Sequence, residues 1–331
     1  MAAVLPTFPA LRSVVGGPGL IDAGVARLAA LPRLRELVVT ERPPVSAAAL
    51  RPFADHPRLT MLLINTALAG DDTAEEIGRI RTLEYLGVGL PSEAEASCRR
   101  LACFARLPRL RVLTGAGNIH SDEEAEALSR FPALESAGLH GGTDAGVRHL
   151  ARLRTLRRLT LMTVPAVTDA GLVELATLPR LERLVLGTGP GVTDAGLDAL
   201  VAAPSLVTLH VGLEGHPGGP RVTETGLRRF VAARGPMLEE LSTPGVAVGD
   251  EFVAFLTAHV PNLTRLRLGR NPGVTDRSVP ALMTLTRLRS VELYRTSVPR
   301  ESKPVLEARF PHARIGLREP PRSVPPAAPK E

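Results

Sequence analysis

Residues 172–197 read LVELATLPRLERLVLGTGPGVTDAGL, and this stretch decides the fold. It begins at the last residue of one copy of VTDAGL (167–172) and ends with another (192–197). Leu172, Leu175 and Ala176 fall at i, i+3 and i+4, one face of a helix, with Leu178 at its end. Pro179 cannot continue a helix and separates it from the next segment. In Leu184-Val185-Leu186 the leucines alternate, as they do in Leu159-Thr160-Leu161, which predicts a short strand with one face buried. A Gly/Pro turn then leads into the next helix start.

Outward from this unit the pattern recurs along the chain. The first leucine of the Leu-x-x-Leu-x-Leu phase falls at Leu11, Leu34, Leu59, Leu83, Leu110, Leu134, Leu156, Leu181, Leu206, Leu238, Leu263 and Leu288. Successive marks lie 22 to 27 residues apart, except for one interval of 32 between Leu206 and Leu238. A fixed period in this range predicts a solenoid of strand–turn–helix–turn units. One unit cannot bury its own leucines, so its neighbours must cover them and the strands must stack in parallel.

In these motifs the chain resembles the leucine-rich repeats over about residues 8–317. The T-D-x-G-L helix start is similar to that of the ribonuclease-inhibitor-like and cysteine-containing repeats, a subclass that also occurs behind F-boxes. An F-box before residue 8 is not expected from this sequence. The resemblance implies a right-handed horseshoe with a parallel sheet on its concave face and helices on its convex face. It also implies a macromolecular partner held on the concave face. The Cys or Asn that comes after the strand in that family is mostly replaced, as at Thr40, Thr66, His140, Thr163 and Thr188, so an incomplete polar ladder is expected.

Composition narrows the function classes. Hydrophobic residues make up 44% of the chain, ample for a continuous core, while aromatics make up 3% and Trp is absent. That disfavours base- or sugar-stacking platforms. The net charge of +6 is modest for 331 residues, and the cations are nearly all arginine. Cys98 and Cys103 fall in one predicted helix, off a common face, and make neither a disulfide framework nor a metal set. A cytoplasmic setting is expected. The N-terminus lacks the pattern of a signal peptide, and no apolar run is long enough for a membrane span.

Several local features stand out. The first repeat starts almost at once, with Phe8, Pro9 and Leu11, leaving its edge without a polar cap. LIDAGV (20–25), GTDAGV (142–147), VTETGL (222–227), VGDEFV (248–253) and VTDRSV (274–279) are variant helix starts. In them Thr or Asp is expected to cap the helix and the acid to suit the helix dipole. The long interval divides between the loop 213–221 and a lengthened helix near Arg228–Gly235. Residues 318–331 (REPPRSVPPAAPKE) read as a Pro-rich disordered tail.

Chemistry needs converging groups, and none converge in this register. The eight histidines occupy unrelated repeat positions, and no nucleophile–base set or metal-binding spacing occurs. Gly187-Thr-Gly-Pro-Gly191 lacks the Gly-Lys-Ser/Thr of a phosphate loop. A non-enzymatic protein without cofactors is expected.

The register does predict which strand residues face the concave surface. Two lanes run across the sheet, at the third and fifth positions of each strand phase. The N-terminal half presents Val38, Met61, Leu63, Tyr85 and Val112, an apolar patch. The C-terminal half presents Arg158, Arg183, His210, Glu240, Arg265, Arg267 and Glu292, with Arg270, Tyr294 and Arg295 at adjacent turns. The sequence reading is therefore a single solenoid of about twelve repeats over 1–317, acting as a protein-interaction scaffold. Two alternatives stay open: a substrate-recognition subunit of a ubiquitin-ligase-like or effector complex, and a nucleic-acid or polyanion binder using the basic patch. Neutral and acidic positions in the lanes weigh against the second.

Overall fold

The computed structural model describes residues 10–17, 20–39, 45–64, 70–114, 119–212 and 221–317. The features expected at Phe8 and Pro9, at Thr40 and Thr66, in 213–220 and in the tail 318–331 lie outside these. Among the described residues there are thirteen strands in one parallel sheet, each paired only with its neighbours in sequence. They are β1 Ser13–Gly16, β2 Glu36–Val39, β3 Met61–Ile64, β4 Tyr85–Gly87, β5 Val112–Thr114, β6 Ser136–Leu139, β7 Arg158–Thr163, β8 Arg183–Thr188, β9 Thr208–Val211, β10 Glu240–Ser242, β11 Arg265–Arg267, β12 Ser290–Glu292 and β13 Arg314–Gly316. Twelve α-helices alternate with them: α1 Asp22–Leu28, α2 Ala47–Leu50, α3 Asp71–Ile77, α4 Ala94–Phe104, α5 Asp122–Leu128, α6 Asp144–Leu150, α7 Asp169–Ala176, α8 Asp194–Leu200, α9 Glu224–Arg234, α10 Asp250–His259, α11 Val279–Leu282 and α12 Ser302–Arg309. This is a leucine-rich-repeat solenoid.

The period explains the core. Every register leucine from Leu34 to Leu263 is fully buried, as are Leu62, Leu159, Leu184, Leu209, Leu241 and Leu266 on the strands. Each buried leucine contributes about 1.5–3 kcal/mol of transfer free energy against the cost of ordering its repeat. Where the Leu-Pro break becomes His56-Pro57, the imidazole takes the leucine's place. Its Nε2 lies 3.0 Å from the Leu31 carbonyl and its Nδ1 accepts from the Leu59 amide at 3.0 Å. His56 thus spans two repeats with hydrogen bonds instead of methyl groups.

The helix starts work differently from the sequence expectation. In VTDAGL the threonine does cap its own helix: Thr168 accepts from the Ala170 amide and Thr193 from the Ala195 amide. The aspartate instead reaches into the next repeat. Asp144 accepts from Thr168 N at 2.8 Å, Thr168 Oγ1 at 2.7 Å and Gly171 N at 3.1 Å. Asp122 does the same for Thr143 and Gly146, Asp169 for Thr193, and Asp194 for Thr223. The recurrence of the glycine three residues after the threonine has its cause in this geometry. A Cβ at Gly171 would stand 2.6 Å from Asp144 Oδ1, and one at Gly196 2.5 Å from Asp169 Oδ1. The motif is a link between repeats, and each carboxylate satisfies amides that a helix N-terminus otherwise leaves open.

Two further residues complete the C-terminal third. Asn271 is fully buried, donates from Nδ2 to the carbonyls of Thr243 and Leu268, and accepts from the Val248 amide. It supplies one rung of the polar ladder that is otherwise largely replaced. The extra length after β9 partly enters α9, which has 11 residues against 7 in α8. Arg234 at its end is buried and donates to the carbonyls of Pro204 and Leu206.

Candidate functional site

Parallel pairing turns the third and fifth strand positions into lanes. Glu36, Met61, Tyr85 and Val112 are successive Cα partners, and Val112 continues to Ser136, Arg158, Arg183, Thr208, Glu240 and Arg265. The lane register expected from the sequence is present. Each step across the sheet is about 4.8 Å.

The N-terminal lanes hold Val38, Met61, Leu63, Tyr85 and Val112 as half-buried side chains. They are positioned by small neighbours and one hydrogen bond. A Cβ at Gly87 would meet Leu63 Cγ at 2.8 Å, so the glycine leaves room for Leu63 to lie across the sheet. Thr114 Oγ1 donates to the Tyr85 hydroxyl at 3.1 Å, which fixes the ring's polar end and leaves its apolar body beside Met61 and Val112 in the lane.

The C-terminal lanes carry a different arrangement. Glu240 is 1% exposed, and four basic groups converge on its carboxylate. Arg183 Nη1 lies 2.8 Å and Arg265 Nε 3.0 Å from Oε2; His210 Nε2 lies 2.7 Å and Arg267 Nη1 3.2 Å from Oε1. Arg267 also pairs with Glu292 at 3.1 Å. Burial alone would raise the Glu240 carboxyl, but the hydrogen bond from His210 and the Arg183 and Arg265 charges outweigh it and hold its pKa down to about 2. Burial pushes the His210 pKa down, with Arg183 and Arg267 adding to the effect and Glu240 opposing it. The ring's Nε2 lies 2.7 Å from Glu240 Oε1 and 3.3 Å from Arg183 Nη2.

The basic patch is accordingly weaker than its sequence suggests. Three of its arginines are engaged with Glu240 and Glu292, so these three guanidiniums and two carboxylates leave a single surplus positive charge. Arg158 stands apart, exposed and without an ion pair among the described residues. Tyr294 corrects an expectation. It is 2% exposed, packed where a Cβ on Gly269 would collide with its ring, and so is not a surface residue. Arg270 and Arg295 hold equivalent turn positions in the left-handed region, at φ 61° and 53°, with Arg270 half-buried and Arg295 exposed.

Elsewhere the described residues show no group of three metal-ligating side chains. The rings of His120 and His140 lie 5.9 Å apart at neighbouring turns, and burial together with His120 lowers the His140 pKa. Burial raises both cysteine thiols, Cys98 and Cys103. No described helix is long and apolar enough to cross a membrane. Two features escape a reading of the sequence: the convergence on Glu240, which joins residues 57 apart, and a groove at the strand-entrance edge lined by Arg265, Arg287, Arg289 and Arg314.

Comparison with known proteins adds the fold and nothing finer. No family model matches the chain, and no curated protein matches it. Among solved structures, a chain of the yeast Rad7–Elc1 complex is similar over 96% of this chain and 84% of its own, at 17% identity and a TM-score of 0.66. An internalin (InlF) from Listeria monocytogenes is similar over 89% of this chain and 83% of its own, at 19% identity and a TM-score of 0.51.

Proposed function

We propose that this leucine-rich-repeat solenoid is a non-enzymatic interaction scaffold that holds a protein partner on its concave sheet. One observation carries the reading. Met61, Leu63, Tyr85 and Val112 form a half-buried apolar strip on a regular surface, and pairing through Ser136 sets Arg158 two strands from Val112. An apolar strip with an adjoining exposed guanidinium matches the make-up of interface centres. The partner lays apolar side chains along β3–β5 and sets a carboxylate against Arg158.

A cytoplasmic setting and the ribonuclease-inhibitor-like subclass belong to the same proposal, supported by the free cysteines and the T-D-x-G-L motif. The alternative of a recognition subunit in a ubiquitin-ligase-like complex keeps the same concave face. The polyanion alternative is disfavoured by Glu240, which neutralises part of the positive charge that a phosphate backbone would need.

The test uses Tyr85→Ala combined with Arg158→Glu, which leaves the Glu240 cluster intact. Wild type and variant are cross-linked to partners in native extract after their melting temperatures have been matched. A protein captured by wild type and lost from the variant supports the reading. Equal capture by both, or capture by neither, overturns the concave assignment.

A further inference from the structure

The strand-entrance edge carries a second candidate surface, separate from the concave strip. Along this edge the residue after each register leucine forms its own lane. In the middle of the solenoid that lane alternates in sign through Glu84, Arg111, Glu135, Arg157 and Glu182. The alternation neutralises itself. Arg111 meets Glu135 at 2.6 Å, and Arg157 meets Glu182 at 2.5 Å.

At the C-terminal end the alternation stops. The lane there reads Glu239, Thr264 and Arg289. Arg289 donates its amide to Thr264 O and accepts from the amide of Arg314, which stacks the last two strand entrances directly. The side chains of Arg289 and Arg314 are exposed and, among the described residues, have no ion pair or hydrogen bond. Arg287 meets Asn262 Oδ1 at 2.9 Å, a neutral acceptor that leaves its charge uncompensated among the described residues. These three line a groove of about 720 Å3 with Arg265, Glu239 and Met237. Met237 is 53% exposed at one wall.

We propose that this edge groove binds an acidic peptide segment of a protein partner, with an apolar residue beside its carboxylates. Three guanidiniums without acidic partners supply the charge complementarity, and guanidiniums pair carboxylates with two parallel bonds. Met237 and Pro236 supply an apolar wall for the neighbouring side chain. Glu239 interrupts the positive lining that a continuous phosphate backbone needs, whereas a peptide can set isolated carboxylates on Arg287, Arg289 and Arg314 and a neutral residue beside Glu239; no aromatic residue lines the groove to stack a base. The occupant is therefore a short peptide and not a nucleic acid strand.

The experiment is fluorescence anisotropy with a labelled peptide of mixed Glu and Leu, run beside a Lys/Leu peptide and an oligouridine of equal length. The variant is Arg289→Glu with Arg314→Glu. The control is Arg33→Glu with Arg180→Glu, which makes the same change of net charge on the same edge in other repeats, where both arginines are exposed. Arg289→Gln with Arg314→Gln serves as a milder pair should the charge reversal lower the melting temperature. The expected result is saturable binding of the acidic peptide, weakened about tenfold or more by the Arg289/Arg314 changes and unaltered in the control. Equal weakening in variant and control would reduce the effect to net charge and overturn the site. Tighter binding of oligouridine, lost in the same variant, would overturn the peptide assignment, as would failure of the acidic peptide to saturate.

Discussion

Helices α5 to α9 each begin on a side chain that caps them, from the capping box of Ser121 and Glu124 to Thr143, Thr168, Thr193 and Thr223. Helices α1, α3 and α4 begin on Ile21, Gly70 and Glu93, and none of these caps. The links between repeats differ in the same way. In the middle, Asp122, Asp144, Asp169 and Asp194 each clasp the following repeat through its threonine. In the N-terminal repeats, Asp22 makes one 3.2 Å contact with the Ser46 amide, and Asp71 turns to Arg99 and Arg100. The sheet agrees, with six-residue strands at β7 and β8 and three- or four-residue strands elsewhere. One fold is thus held by two means. The middle adds one repeated Thr–Asp clasp to burial, and the N-terminal repeats lack that clasp and add unrepeated links instead, such as His56 to Leu31 and Asp71 to Arg99 and Arg100. The apolar strip of the proposed site lies on the second kind, where local opening costs less.

The largest test of this contrast is Gly196→Ala. The new Cβ would meet Asp169 Oδ1 and Leu172 Cδ1 at 2.5 and 2.7 Å. Displacing a carboxylate that satisfies Thr193 should cost about 3 kcal/mol. Gly24→Ala meets only the flexible end of Leu20 and should cost under about 1 kcal/mol. Urea midpoints of the two variants check the ordering, and similar losses would erase the contrast.

Acid sharpens it next. The folded pKa of Glu240 is depressed to about 2 from 4.5, so its contribution is complete above about pH 4.5 and is lost as pH falls toward 2. The loss should be about 2 kcal/mol once solvent screening of its half-exposed arginines is allowed for. Glu240→Gln should flatten this dependence. Hydrogen exchange between pH 5 and pH 3 should show β9–β12 losing protection while β7 and β8 hold.

Asp169→Ala removes the acceptor for Thr193 N and Oγ1 and should cost about 1.5 kcal/mol, against about 0.5 kcal/mol for Asp22→Ala. Thermal melts order the pair. The smallest effect is at the edge. Arg157→Ala removes the Glu182 pair and should cost about 0.5 kcal/mol or less, vanishing in high salt.

Most of the fold is legible in the sequence because two periods overlap. Alternation within Leu159–Leu161 places the leucines inward, and the 25-residue repeat stacks equivalent positions, so the lane from Met61 to Arg265 reads off in order. The features that stay hidden depend on a neighbour one repeat away. Asp144 looks like a first-turn acid of its own helix, and only packing shows it serving Thr168. Glu240 reads as one relief in a basic lane. Its burial comes from Arg183 and Arg265 arriving from strands on both sides. Tyr294 reads as a surface residue because it falls in a turn beside Arg295, and only the approach over Gly269, its equivalent one repeat earlier, shows that it packs inward.

The aspartate clasp is directional. Every link runs from a carboxylate in one repeat to amides in the repeat after it. A chain emerging N-terminus first has each carboxylate in position before the threonine it will hold is made, so every new repeat docks onto a finished template. Shortening from the two ends is then unequal. Removing C-terminal repeats leaves a carboxylate that water solvates readily. Removing N-terminal repeats strips the acceptor from a helix start and leaves its amides bare. This solenoid should therefore tolerate trimming from its C-terminal side repeat by repeat, and resist it from the other once the cut passes Asp122, the first clasping carboxylate.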